Sequence, residues 1–383
     1  MSTVRVAPSM LRWALDRADL NTETKRYARF EQYASGEKPP TLRQLEEFAS
    51  ATHVPFGYLF LPEPPQESVP IPDYRTIGDS GVNEPSANLL DTIYEAQMRQ
   101  DWYREYAQSQ HADPLEFFGS ATVDDSPLEV SEKIREALDF RMERRTRFRT
   151  WEEALRYLID AVEELGVLVM VSSVVGNNTH RSLSVDEFRG FTLGDPFATV
   201  IFVNGADSKS AQMFTLMHEL AHVWLGESGI SSEDLDSPSE RRNERWANSV
   251  AAEILIPLAQ IRSEYKGSLT SAEVSRLAKR YKVSTLVVLR RIFDARLVDW
   301  DIYIASYRAE EKRLKELSDQ KKKKQGPRGD YYNTHPLQVG QQFSRAVIVD
   351  AYEGRTLYRD AFRLLGTVKA STFEGLAERL GVA

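Results

Sequence analysis

The sequence predicts an α+β protein that is predominantly helical, with a small sheet ahead of a helix that bears two histidines. Amphipathic segments bounded by capping residues and prolines cover most of the chain, and this pattern is typical of helices. Short β-branched and aromatic runs, "GVLVMVSS", "FRGFTL" and "ATVIFVN", lie between residues 166 and 204 and indicate three strands. The motif "MHELAH" (217–222) follows within a helical segment. We therefore expect the sheet and this helix to form one domain.

Composition restricts the class of protein and the kind of metal site. The chain has 383 residues, enough for two or three domains, of which 42% are hydrophobic and 28% charged. It has no apolar run of membrane length, and charges interrupt its first apolar stretch, so we expect a soluble cytoplasmic protein without a secretory signal or a membrane partner. Cysteine is absent, so a metal ion would have to bind histidines and carboxylates. With a net charge of −8, DNA binding would require a local basic face.

The helices around the motif have recognisable ends. We expect the His-bearing helix over 208–225, after Asp207 as an N-cap candidate and before Gly226, a residue suited to the left-handed turn that ends many helices. A second helix is expected from about 239 to 256, between two prolines. Residues 270–299 should form two further helices that pack against this domain, because they carry a strong apolar stripe.

The spacing of the histidines predicts a metal site. Residues four apart lie on one face of a helix, so His218 and His222 can direct ring nitrogens at a single ion. Glu219 lies about 100° around the helix, where a carboxylate can accept a proton from a water without binding the ion. Chance alone would produce His-acid-x-x-His in this composition in about one chain in a hundred. Two histidines packed in a core are the alternative, and a metal site needs a third protein ligand.

The segment "NERWANSVAAEILIP" supplies candidates for that third ligand. Helical spacing places Glu244, Asn248 and two alanines along one stripe, and the alanines would let this helix approach the His-bearing one. Glu240 and Glu253 are rivals of Glu244, and spacing alone does not decide among them. Asn248 could accept a hydrogen bond from the nitrogen of a metal-bound histidine that does not face the ion.

The strand before the His-bearing helix suggests where a peptide binds. A strand that leads by a short turn into the metal-binding helix can line the cleft and pair with an extended peptide by β-augmentation. On this basis we expect Val200, Phe202 and Asn204 to contact the substrate. An ordinary sheet strand is the alternative interpretation.

Two stretches carry a family resemblance, "RGFTLGDPFATVIFVNGADSKSAQMFTLMHELAHVWLG" and "ERWANSVAAEILIP". They resemble the ImmA/IrrE family of zinc metallo-endopeptidases, cytoplasmic enzymes that cleave or inactivate repressors of the XRE type. The resemblance implies a zincin-like, gluzincin-type catalytic domain in which His218, His222 and Glu244 bind Zn²⁺ and Glu219 is the general base. It thereby favours Glu244 over its rivals.

The N-terminal segment is similar to part of an XRE-type helix-turn-helix domain. The similarity lies in "FEQYASGEKPPTLRQLEEFASATHVPFGYLFLPE", and "IPDYRT" matches a segment that usually follows such a domain in long members of the family. Only nine residues separate Leu20 from Phe30, which is too few for the two short helices of a DNA-binding helix-turn-helix. Residues 1–63 contain eight Lys and Arg against eight acids, which is no basic footprint. We infer a degenerate domain used for protein contacts, so DNA binding is not favoured here, and the basic residues of 270–299 are an alternative DNA reader.

The predicted organisation therefore has seven parts. They are a degenerate XRE-like helical domain (1–61), a Pro-rich linker (62–85), a helical connector (86–149), the zincin-like metallopeptidase domain (150–262), a helical helix-turn-helix-like extension (263–318), a basic linker (319–336) and a small helical C-terminal domain (337–383).

The predicted function is zinc-dependent hydrolysis of a peptide bond in another protein. The resemblance implies that the substrate is an XRE-type repressor or an antitoxin-like protein, and that cleavage regulates a stress response or the expression of mobile-element genes. One alternative is a regulatory binding protein of a toxin-antitoxin-like locus that does not cleave its partner. Another is a transcriptional regulator that binds DNA.

Overall fold

The computed structural model describes residues 3–18, 24–65, 68–73, 85–145, 147–231, 242–322 and 337–382. Contacts divide the chain into two compact units, Met1–Pro70 with Asn83–Ile93, and Ile71–Val82 with Tyr94–Ala383. A separate hydrophobic core lies in each unit. None of the helices that the structure describes combines the length and apolarity needed to span a bilayer.

The first unit is built from short helices with strong local start signals. They are α1 (Pro8–Arg17), α2 (Lys25–Ala34), α3 (Leu42–Thr52) and a 3₁₀ helix (Phe56–Phe60). A capping box begins α3, because the Thr41 side chain accepts from the Gln44 amide and the Gln44 side chain accepts from the Thr41 amide at 2.9 Å. In the core, the rings of Phe30 and Phe48 meet edge to face with centroids 5.0 Å apart.

The remaining described helices follow along the chain. They are α4 (Ala87–Ser109), α5 (Pro127–Ala137), α6 (Met142–Arg145), α7 (Trp151–Glu164), α8 (Lys209–Leu225), α9 (Arg242–Leu255), α10 (Leu258–Glu264), α11 (Ser271–Tyr281), α12 (Thr285–Asp294), α13 (Trp300–Lys322), α14 (Gln341–Tyr352), α15 (Tyr358–Leu364) and α16 (Ala370–Arg379). Several begin where the sequence offers an N-cap: the hydroxyls of Thr150, Thr270 and Ser284 each accept a hydrogen bond from the backbone amide three residues on.

The strands form a four-stranded mixed sheet and a separate hairpin. The strands are β1 (Leu168–Ser172), β2 (Val174–Val175), β3 (Asn178–Ser182), β4 (Gly190–Leu193), β5 (Val200–Asn204) and β6 (Gly229–Ser231). The sheet order is β1-β5-β4-β6, with β1 parallel to β5 and the other neighbours antiparallel. The hairpin pairs β2 with β3. The three strands predicted from the sequence correspond to β1, β4 and β5.

The sheet positions the His-bearing helix. Every residue of β1, β4 and β5 is buried, as expected for strands rich in valine, isoleucine and phenylalanine with both faces covered. Helix α8 packs against both β4 and β5. The predicted α+β, predominantly helical fold is confirmed, with the sheet lying beside the helix that bears the histidines.

The prediction that β5 binds a peptide along its edge is wrong. Strand β5 lies inside the sheet: Val200 is aligned with Leu168 on one side and with Leu193 on the other. Phe202 and Asn204 are likewise buried and belong to paired positions. A strand with neighbours on both sides has no free row of backbone groups, so β-augmentation is not available to it.

The helices that follow α9 along the chain share the hydrophobic core of the predicted catalytic domain. Buried residues of α11 and α12, such as Leu277, Val288 and Ile292, belong to the same hydrophobic cluster as α8 and α9. The expectation that 270–299 packs against this domain is confirmed. Helix α13 continues to Lys322, inside the predicted basic linker, and the rest of that linker (323–336) lies outside the described residues.

Candidate metal centre

Helix α8 carries the two histidines, and its ends are set by local sequence. The helix begins one residue later than predicted: Ser208 is the N-cap and its hydroxyl accepts from the Ala211 amide at 3.2 Å, while Asp207 instead accepts from the Ser208 amide. It ends at Gly226 in the left-handed conformation, with φ of 71°, as expected. His218 and His222 lie one turn apart, and both are buried.

Helix α9 supplies the carboxylate. Glu244 lies in its first turn, and the stripe that continues from it contains the buried Ala247 and Ala251. Small side chains on this stripe allow α9 to lie close to α8, in agreement with the spacing seen in the sequence. Glu244 reaches both histidines from this position.

The ligand atoms converge as a metal site requires. The His218 and His222 Nε2 atoms are 3.0 Å apart, Glu244 Oε2 is 3.3 Å from His218 Nε2, and Glu244 Oε1 is 3.2 Å from His222 Nε2. A tetrahedral site with metal-ligand bonds of about 2.0–2.1 Å places its donor atoms about 3.3 Å apart. The three side chains therefore fit a metal ion, and they form a group of potential ligands within the described residues.

The outer nitrogens of both rings have polar neighbours. His218 Nδ1 lies 3.0 Å from Asn248 Oδ1, and His222 Nδ1 lies 3.2 Å from Glu227 Oε2. An amide oxygen and a carboxylate oxygen accept hydrogen bonds, so each ring donates from Nδ1 and directs the Nε2 lone pair inward. Two lone pairs and a carboxylate facing one another repel, and a cation between them relieves that repulsion.

The pKa shifts of the cluster also indicate a site that favours a cation. Burial alone would lower the pKa of His222, but its hydrogen bonds to Glu227 and Glu244 outweigh burial and raise the pKa to about 8. Burial alone would raise the pKa of Glu244, but contact with the two imidazoles holds the pKa of this carboxyl well below its usual range. The centre therefore favours added positive charge, from a proton or from a metal ion.

Glu253, one of the two rivals of Glu244, is not at the centre. Glu253 forms an ion pair with the buried Arg291 and accepts from the Leu258 amide at 3.2 Å, so its carboxylate is part of the core behind α9. Glu240 lies outside the described residues. Asn248 is where the spacing placed it, beside the first histidine.

Glu219 is held by strand β4. The Thr192 hydroxyl donates to Glu219 Oε2 at 2.7 Å, and Glu219 is fully buried. Gly190 of the same strand leaves the space for this carboxylate: a Cβ at Gly190 would lie 3.0 Å from Glu219 Oε1 and 2.5 Å from Thr215 Cγ2. The strand thereby provides both a hydrogen bond and room for the acidic side chain.

Four residues of this arrangement were not predicted from the sequence: Thr192, Gly190, Glu227 and Asn243. Asn243 donates its side-chain amide to Glu227 Oε1. A signal existed for Glu227 alone, since it directly follows Gly226, where a helix-ending turn was expected. The other three meet the centre only through the packing of β4 and α9 against α8.

Comparisons with known proteins agree with this geometry. Residues 162–293 match the family model of the IrrE N-terminal-like domain, Peptidase_M78. Residues 339–379 match a domain of unknown function, DUF8813. No curated protein and no solved structure matches the chain.

The domain that contains the candidate metal centre is thus of the metallopeptidase class. Over residues 162–293 the chain is similar to the IrrE N-terminal-like domain family, which supports the resemblance that its motifs suggested. The matched segment extends past residue 262 through α12, so it includes helices that the sequence-based division had placed in a separate extension. The XRE-like assignment of residues 1–61 stays a prediction.

Proposed function

We propose that the chain is a zinc-dependent endopeptidase in which His218, His222 and Glu244 bind the ion and Glu219 is the general base. The observation that supports this most directly is the convergence of two imidazole Nε2 atoms and one carboxylate at 3.0–3.3 Å. Two histidines and one carboxylate are the ligands of catalytic zinc sites that keep an open position. The chain has no cysteine, so a thiolate zinc site is not available to it.

A zinc ion at this centre would supply Lewis-acid chemistry, polarising a peptide carbonyl and increasing the acidity of a water molecule. The protein's own contribution is the carboxylate of Glu219. Thr192 holds one of its oxygens, which restricts the directions from which it can accept a proton. Glu219 would take a proton from the attacking water and deliver it to the leaving amine.

The substrate we propose is an XRE-type repressor or an antitoxin-like protein, cleaved in the cytoplasm to change gene expression. This part of the proposal depends on the family resemblance and not on the geometry of the site. Since β5 has no free edge, the peptide must be bound by other elements.

Burial of the centre favours a second candidate function. His218, Glu219, His222 and Glu244 are each at most 7% exposed, and an endopeptidase must admit a peptide to its catalytic groups. A protein in which the ion is structural, and which regulates a partner by docking, would have such a closed centre. The two functions differ in the role of Glu219, which is needed for hydrolysis and dispensable for docking.

The test combines metal content with cleavage. Zinc would be measured by mass spectrometry on wild type, His218→Ala, Glu244→Ala and Glu219→Gln, and each protein would be incubated with purified XRE-type repressors and a mixed-sequence peptide library. We expect about one zinc in wild type, loss of zinc in the first two variants, and retained zinc without cleavage in Glu219→Gln. Equal cleavage by wild type and Glu219→Gln would contradict Glu219 as the general base, and zinc-free wild type would contradict the metal centre.

A further inference from the structure

We propose that Glu227 is a positioning residue of the metal centre, which fixes the orientation of the His222 ring and ties it to the helix that supplies Glu244. The inference rests on the proposed metal site, because it concerns how the chain prepares that site. Glu227 is not among the three residues that form the group of potential ligands. Its two carboxylate oxygens have different neighbours, one on each helix.

The local backbone brings Glu227 to His222. The Gly226 amide donates to the Val223 carbonyl and the Glu227 amide donates to the His222 carbonyl, both at 3.0 Å. This pair of bonds around a left-handed glycine is the Schellman turn, which folds the chain back over the last helical turn. Glu227 therefore lies beside His222 although it is five residues further along the chain.

Close packing makes the turn rigid. A Cβ at Gly226 would lie 3.0 Å from the Cα of Gly119, which is a backbone atom and cannot move alone. The Gly119 amide donates to the Val223 carbonyl at 3.1 Å. The turn that carries Glu227 is thus fixed from outside as well as by its own hydrogen bonds.

One oxygen of Glu227 acts on the histidine ring. Glu227 Oε2 accepts from His222 Nδ1 at 3.2 Å, which selects the tautomer with its lone pair on Nε2. The Nε2 atom that carries this lone pair lies 3.2 Å from Glu244 Oε1. A carboxylate on the outer nitrogen also increases the basicity of the ring and thereby its affinity for a metal ion.

The other oxygen acts on helix α9. Glu227 Oε1 accepts from the side-chain amide of Asn243, the residue that precedes Glu244. A single carboxylate thus links the end of α8 to the start of α9, the two places from which His222 and Glu244 come. Asn248, which lies on α9 itself, has the corresponding position beside the outer nitrogen of His218.

A polar residue at a helix end can also be an ordinary surface group. The Glu227 side chain is 25% exposed, so its hydrogen bonds are partly screened by water and add little to folding stability. A positioning role predicts a change in metal affinity that is larger than the change in the stability of the metal-free protein. This difference separates the two interpretations.

The experiment is a zinc titration of the full chain in competition with a chromophoric chelator. The proteins are wild type, Glu227→Gln, Glu227→Ala, Asn243→Ala, His218→Ala and a control, Glu116→Gln, which removes a carboxylate from an exposed residue. We expect Glu227→Ala to bind zinc about 10- to 100-fold more weakly than wild type. Glu227→Gln should lie between them, because its amide oxygen can still accept from Nδ1, and the control should equal wild type.

Two further measurements keep the test decisive. The absorption spectrum of the Co²⁺-substituted protein should change in Glu227→Ala and return towards wild type in Glu227→Gln, which a merely structural role would not produce. Thermal unfolding of the metal-free variants shows whether each one folds. If Glu227→Ala does not fold, Glu227→Gln takes its place, because glutamine preserves the size of the side chain. Zinc affinity of a folded Glu227→Ala within twofold of wild type would overturn the inference alone, whereas failure of wild type to bind zinc would overturn the proposed metal site as well.

Discussion

At the scale of single residues, the candidate site depends on groups that hold the functional side chains. Asn248 and Glu227 set the two imidazole rings, and Thr192 holds Glu219. Such groups decide whether a donor atom points at the ion or away from it, since a histidine ring has two nitrogens and a carboxylate has several lone pairs. The HExxH motif identifies the functional residues, whereas the neighbouring polar groups orient their side chains.

Gly190 gives the first prediction. In Gly190→Ala, the new Cβ would lie 2.5 Å from Thr215 Cγ2 and 2.9 Å from the Phe202 carbonyl oxygen, so the backbone must shift, and Glu219 with it. We expect a loss of about 1–3 kcal/mol of folding stability, as for other overpacked sites, and loss of peptide cleavage with zinc retained. Urea unfolding, zinc content and the cleavage assay would measure this. Gly57→Ala is the control, because a Cβ there meets nothing within 4 Å, and equal effects of the two changes would refute the argument.

At the scale of elements, the centre is a product of how α8 and α9 pack. Ala251 lies seven residues after Glu244, nearly in line with it along the helix, and is fully buried. An alanine at this place keeps the helices close enough for Glu244 to reach both histidines. The ligand distances are therefore sensitive to side-chain volume one or two turns away from the ligands themselves.

A change at Ala251 tests the effect of helix spacing. Ala251→Leu should force α9 away from α8, cost about 1–3 kcal/mol of stability and weaken zinc binding, because Glu244 moves with its helix. The same substitution at Ser249, which is exposed on the other side of α9, is the matched control. The measurement is zinc affinity together with urea unfolding. If Ala251→Leu bound zinc as tightly as Ser249→Leu, helix spacing would not control the site.

At the scale of the whole molecule, the candidate ligands lie in the main hydrophobic core of the second unit. Helices α8, α9, α11 and α12 all contribute to that core, which packs these helices together through apolar side chains. An ion that binds the folded chain still adds stability by mass action. The candidate ligands therefore come from two helices that apolar packing also holds together.

Chelation should accordingly lower the melting temperature of wild type without unfolding it at 25 °C. Free zinc at a hundredfold excess over Kd would add about 2.7 kcal/mol of stability, and a chelator removes this contribution. Differential scanning calorimetry with and without chelator would show the shift. His218→Ala should melt at one temperature in both conditions, and a chelator-dependent shift of the same size in this variant would contradict the assignment.

A buried carboxyl predicts how stability depends on pH. Glu163 of α7 accepts from the Gln342 amide at the start of α14 at 3.3 Å, and burial raises its pKa to about 7. A pKa above the ordinary value of about 4.5 means that the folded state holds the proton more tightly than the unfolded state. The stability from this group is fully present below about pH 4.5 and is lost as pH rises through about 7, by at most ~3 kcal/mol.

The variant Glu163→Gln removes this titration. Relative to wild type, it should gain stability at pH 8 and differ little at pH 4.5, as measured by urea unfolding at both values. Glu164→Gln is the control, because the neighbouring carboxyl is exposed. An unchanged pH dependence in Glu163→Gln would show that burial of this carboxyl does not contribute to the pH dependence of stability.

Many of the helices and strands are specified by patterns of a few neighbouring residues and could be predicted from the sequence. The strands corresponding to β1, β4 and β5 have β-branched and aromatic runs, and α8 has a spacing of histidines that only a helix would bring together. Strand β6 and the hairpin were not predicted, because β6 has three residues and β3 is polar and exposed, so neither has a hydrophobic pattern. The choice of Glu244 over Glu253 came from family resemblance, since both occupy the same helix.

Local sequence patterns were sufficient to predict the predominantly helical α+β class, the turn at Gly226, the stripe of small residues on α9 and the residues of the HExxH motif. The tertiary structure alone decided the order of strands, which places β5 inside the sheet, and the contacts of Thr192, Gly190 and Glu227. The two groups of features differ in the sequence distance over which the interactions that form them act. Periodicity and capping act over a few residues and are visible in the sequence, whereas strand order and the meeting of side chains from separate elements depend on how those elements pack.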